Sequence, residues 1–132
     1  MPLFKELRGD LVFTAFTPGQ ATAGTEDDWV ALVAPFNLKI TGVTWTPNAA
    51  ITANGTNFFV LQILNGATVV ASRSYAATDS TALSDEQMTL SSTPADLNVA
   101  AGDVLVIHKE TGGGGTGLAM PDGHIQIKAQ AR

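Results

Sequence analysis

Few residues in this chain have the types and spacing that chemistry needs. It has two histidines: His108 closes the apolar run Val104 to His108, and His124 follows a Pro-x-Gly turn. A cupin-type metal site needs a close His-x-His pair with further ligands on facing strands, and no such pair is present. The two rings would meet only if their strands pair across the glycine run Gly112 to Gly115, so each reads as a surface or interface histidine. A serine hydrolase needs a G-x-S-x-G nucleophile elbow, which the chain lacks. Of the twelve acids, none is singled out as one of the facing carboxylates a glycosidase requires. Asp79, Asp85 and Glu86 offer oxygens to calcium, but without the spacing of an EF-hand loop. Glu26, Asp27 and Asp28 stand together in a polar stretch and read as a solvated or subunit-facing charge patch. A phosphate loop would continue from the glycine run into Lys and Ser or Thr opening a helix. Here Thr116–Gly117–Leu118 leads into a strand, which makes the run a flexible hairpin tip. These patterns imply neither an enzyme nor a cofactor.

Composition narrows the partners. The chain has 132 residues, 45% of them hydrophobic, enough for one globular domain with a real core. It has no cysteine, so disulfides, thiol nucleophiles and thiolate metal sites are excluded together. The net charge is −5 and the seven basic residues are scattered, which argues against nucleic acid or an anionic membrane as partner. Met1 to Asp10 carries Lys5, Glu6, Arg8 and Asp10 and lacks the apolar centre of a secretory leader. Charged residues make up 14%, against about 25% in an ordinary soluble domain. Exposed positions are filled by Thr, Ala, Ser, Asn and Gly instead, as expected if much of the surface faces other protein.

The elements that would position any site are strands. Short apolar runs separated by turn residues are the pattern of a sandwich or barrel. They cover Leu11 to Thr17, Trp29 to Ala34, Phe36 to Trp45, Phe58 to Leu64, Thr68 to Ser74, the region of Met88 and Leu90, the region of Leu97 and Val99, Val104 to His108, and Ile125 to Ala129. The stretch Thr17 to Asp28 reads as a loop. Phe36, Leu38 and Ile40 share one parity, while Val43 and Trp45 share the other. A strand with one buried face changes parity only with an extra residue, so a β-bulge is expected at Thr41–Gly42. Phe58 to Leu64 is apolar on both parities and reads as a central strand covered on both faces. Asn65–Gly66 reads as a two-residue hairpin turn. Ser84 to Met88 has room for one helical turn. Trp29 and Trp45 sit in apolar strands and read as core rather than as platforms for sugar. The expected fold class is all-β, an antiparallel β-sandwich or jelly roll of about eight strands spanning residues 11–132.

Two stretches resemble a known family. One is Ile40 to Gly66, with its GVTWTP strand. The other is Leu90 to Ala129, with the AAGDVL and TGLAMPDG turns. Together they are similar to the jelly-roll-like auxiliary, or decoration, proteins on the capsid exterior of tailed bacteriophages. The resemblance covers about half the chain. It implies a symmetric oligomer, a trimer foremost, that binds the major capsid protein on the outside of the virion and stabilises the shell without chemistry. Residues 1–17 match no motif of that family, and residues 1–10 read as an N-terminal arm. Within that arm Leu3, Phe4 and Leu7 are expected to contact the capsid or a neighbouring subunit, because apolar side chains ahead of the first strand need a cover; otherwise Phe4 and Leu7 fold back on their own domain. The alternative is a receptor- or carbohydrate-binding head module of a phage fibre.

Overall fold

The computed structural model describes residues 9–132. It contains ten strands: β1 Leu11–Thr17, β2 Asp27–Val33, β3 Leu38–Pro47, β4 Phe58–Asn65, β5 Thr68–Ser74, β6 Glu86–Gln87, β7 Thr89–Leu90, β8 Asn98–Val99, β9 Val104–Gly112 and β10 Gly123–Ala131. One sheet runs β1-β10-β3-β6, with β8 also on β3, and the other runs β2-β9-β4-β5-β7. All pairings are antiparallel. The pairs β1–β10, β2–β9, β3–β8 and β4–β5 are nested, as if one long hairpin had been rolled up across two sheets. That wiring is a jelly roll.

Alternation along each strand explains the core. Phe59, Leu61 and Ile63 of β4, Leu105 and Ile107 of β9, and Ile125, Ile127 and Ala129 of β10 all point between the sheets and are buried. The β3 bulge is where the parity argument puts it: Ile40 pairs with Ala129 and Gly42 with Lys128, leaving Thr41 as the extra residue. Leu38 and Ile40 are therefore buried on one side of the bulge, and Val43 and Trp45 on the other. A second irregularity, at Ala31 of β2, and a third, at Val70 of β5, work the same way.

Several expectations need correction. The count of about eight strands rises to ten because β6, β7 and β8 are two-residue pieces. Glu86–Gln87 pairs with β3 as a strand, so Ser84 to Met88 forms no helical turn. Helix appears instead as a 3₁₀ turn at Pro94–Leu97, where proline opens the turn. Asp27 and Asp28 belong to β2, not to the preceding loop, because β9 supplies them with partners in Lys109 and His108. The β4–β5 hairpin turns at Gly66–Ala67, one residue later than expected: Asn65 is still paired, with Thr68, and Gly66 takes the positive φ of 61°. Finally, β4 is interior to its sheet, but Phe58, Val60, Gln62 and Leu64 on its outer side are only half-buried. Its second apolar parity faces outward.

Candidate interaction surface

The residues with chemical potential are dispersed. His108 lies on β9 and His124 on β10, in different sheets, so the pairing that would have joined them does not exist. The His108 Nδ1 instead meets the Asp28 carboxylate on the neighbouring strand. The His124 ring packs edge-on against Phe16, centroids 5.5 Å apart. Asp79 accepts from the Ala53 amide at 2.7 Å, Asp85 from the Thr46 hydroxyl at 2.6 Å, and Glu86 pairs with Arg73 at 3.8 Å. Each of these acids thus serves a different neighbour. Among the described residues no three His, Asp or Glu side chains come together as a metal site.

The glycine run does not form a hairpin tip. It leads from β9 in one sheet toward β10 in the other, and it is pressed against residues 56–58. A Cβ on Gly112 would stand 2.2 Å from the Phe58 ring, and one on Gly113, where φ is +75°, 2.2 Å from the Thr56 carbonyl. Glycine is there for close backbone approach, not to cradle an anion.

Two buried polar groups have structural jobs. Trp45 is fully buried, and its Nε1 donates to the Tyr75 hydroxyl at 3.0 Å; that hydroxyl lies 2.8 Å from the Ser80 hydroxyl. Burial pushes the Tyr75 phenol above its ordinary pKa, with Ser80, Arg73 and Trp45 pulling it part of the way back. Lys109 is buried too, its ammonium donating to the Thr22 and Ala23 carbonyls at 3.0 and 3.1 Å. Desolvation lowers its pKa, partly offset by the carboxylates of Asp27 and Glu26. Lys109 pins the β1–β2 connection to β9. Glu26 adds a second pin by accepting the Thr111 amide at 2.9 Å.

What remains is surface. On the outer side of the second sheet, Val30, Val106, Leu64 and Val69 sit in register across β2, β9, β4 and β5. They form one aliphatic row over four strands. The next row, Asp28, His108, Gln62, Ser72 and Thr89, is polar. On the outer side of the first sheet, Val12 sits beside Lys128 and Phe16 beside His124. Among the described residues the exposed large apolar side chains are Val12, Phe16, Val30, Val33, Val69, Leu83 and Val104. Four of these seven lie on β1 and β2, the terminal strands of the two sheets, which touch across the sandwich.

Sequence reasoning missed Val12, Phe16, Val30 and Val33. The signal is the apolar character on both parities of Leu11 to Thr17 and Trp29 to Ala34, the same pattern that Phe58 to Leu64 carries. Leu3, Phe4 and Leu7 lie outside the described residues. Trp29 is half-buried against the core, and Phe16 is the one aromatic among the exposed large apolar side chains of the described residues. A shallow concavity beside β5 and β7, lined by Ser72, Thr89, Ser91, Ser92 and Asp96 among others, has no aromatic wall.

Fold and surface together define an all-β jelly-roll domain with apolar side chains exposed along one edge. No protein-family model and no curated protein sequence matches the chain. A chain in the solved structure of infectious bursal disease virus, Gx strain, is similar to it over 92% of this chain and 32% of that one, at 15% identity and a TM-score of 0.35. The present chain thus spans about a third of that one, and likeness at this level says nothing about what it does.

Proposed function

We propose that this chain is a non-catalytic virion protein that binds the outside of a phage capsid as a symmetric homo-oligomer and reinforces the shell. The observation that carries the reading is the set of exposed valines and Phe16 along the β1 and β2 edge, in a chain with only 14% charged residues. Apolar groups exposed along one edge of a small domain, on the outer faces of both sheets there, fit a surface that meets protein. Phage and capsid come into the reading from the resemblance carried by Ile40 to Gly66 and Leu90 to Ala129. Jelly rolls recur in capsid proteins, an analogy of fold that supports the class of role and not its details. The partners in this reading are the major capsid protein and further copies of the chain, with Leu3, Phe4 and Leu7 contributing to attachment. Nucleic acid and membrane have no part in it.

The test mixes purified protein with capsids that lack it and measures occupancy and the temperature at which the shells open. Saturable binding with a raised opening temperature supports the role. Failure to bind, or binding that leaves shell stability unchanged, removes it. A variant without residues 1–10 that binds as well as the full chain removes the attachment role of Leu3, Phe4 and Leu7 alone.

A further inference from the structure

We infer that copies of this chain close into a ring in which the β1 flank of one copy packs on the β2 flank of the next, Lys128 of one facing Asp28 and Glu110 of the other. This deepens the oligomer reading above and rests on it.

Three features of the edge point to that contact. First, β1 and β2 are each the last strand of their sheet, each with one side of its backbone unpaired by any neighbour among the described residues. Long free edges with outward apolar side chains invite association unless something covers them. Second, both flanks of the edge are apolar: Val12 and Phe16 on one, Val30 and Val33 on the other, each more than half exposed.

Third, the charges beside those apolar groups are opposite. The β1 flank carries Lys128 and His124 next to Val12 and Phe16, with Asp10 at its end held by Gln130. Lys128 has no ion pair within the described chain. The β2 flank carries Asp28, whose side chain is 65% exposed, and Glu110 farther along β9. His108 stands beside Asp28, its Nδ1 against the carboxylate.

These charges choose the pairing. A contact of two β2 flanks gathers Asp28 and Glu110 of both copies, which is repulsive, and a contact of two β1 flanks offers Lys128 only Asp10, already held by Gln130, as an opposite charge. A contact of unlike flanks brings opposite signs together. Such a head-to-tail contact forms a ring when its rotation closes and a fibre when it does not. The two flanks are the outer faces of opposite sheets where β1 and β2 touch, so the angle between these faces sets whether the contact closes. A ring built this way also hides both unpaired strand edges at its centre.

The experiment measures the mass of the purified chain by light scattering and sedimentation at micromolar concentration, without capsids. Lys128→Glu and Asp28→Lys should each weaken assembly at least tenfold, and the chain carrying both should recover it. Val30→Asp should dissociate the assembly while its thermal melt and circular dichroism stay those of the parent. A monomeric parent chain overturns the ring. So does an assembly that Val30→Asp breaks and Lys128→Glu leaves intact, the signature of like flanks meeting, or a double variant that fails to recover. The capsid reading is separable: a monomeric parent that still coats capsids defeats the ring alone. A ring that ignores capsids supports this inference and defeats that reading.

Discussion

The two edges of the sandwich are built differently. At one edge the sheets end in β1 and β2, each seven residues long, with valines turned outward. At the other, the sheets end in β6 and β7, each two residues long, and β8 is as short. Short strands leave little backbone to template a partner, and this edge is dressed in Thr89, Ser91 and Ser92. Behind it lies the hydrogen-bonded set Trp45, Tyr75 and Ser80, while Met88, between β6 and β7, is 2% exposed. The short edge is finished within one copy. Among the described residues the long edge is left open, and it is the edge that the proposed ring would use. Changes at the short edge should break the fold, and changes at the open edge should break assembly.

The sharpest break is Trp45→Ala. It removes the largest fully buried side chain and the donor to Tyr75, and should cost about 3–5 kcal/mol in denaturant unfolding. A loss under about 1 kcal/mol would mean the short edge does not depend on this indole.

Tyr75→Phe comes next, at about 1–3 kcal/mol, because it leaves the Trp45 N–H and the Ser80 hydroxyl without their partner. It also carries a pH signature. The folded phenol resists ionisation that the unfolded one undergoes near pH 10, so stability from this group is lost as pH climbs above about 10. Melting curves of the Phe variant should lack that alkaline loss.

Lys109→Met tests the open side, where the lysine holds the β1–β2 connection. The cost should be smaller, about 1 kcal/mol, since the freed Thr22 carbonyl lies at an exposed residue that water can reach. Its pH signature has the opposite sign. The unfolded chain keeps this proton up to about pH 10.4 while the folded chain releases it earlier, so stability from this group rises as pH approaches about 10.4. The variant should lose that rise.

Smallest is Val30→Ser, which should change monomer stability by no more than about 0.5 kcal/mol, as at other exposed positions. A loss of several kcal/mol on the isolated domain would show that Val30 serves the fold, and the contrast between the edges would collapse.

Much of the interior was legible in the chain. The parity change between Ile40 and Val43 specified a bulge at Thr41–Gly42, because side chains alternate strictly along a strand and a buried face allows no other repair. The same logic placed Trp45 inside, and the absence of any 3.6-residue period excluded a helical domain. These are local rules, satisfied by neighbours in sequence.

The open edge was not legible in this way. A two-residue alternation says which side chains share a face, but not which strand ends a sheet. That depends on pairings such as Leu11 with Ala129 or Val30 with Val106, between residues far apart in the chain. Val30 and Ile107 are both apolar letters in strands. Only the tertiary structure turned one outward, at 62% exposure, and sealed the other in the core, because only it decides which faces meet across the sandwich. The same holds for His108 and His124, which were free to meet until the jelly-roll wiring sent their strands into opposite sheets.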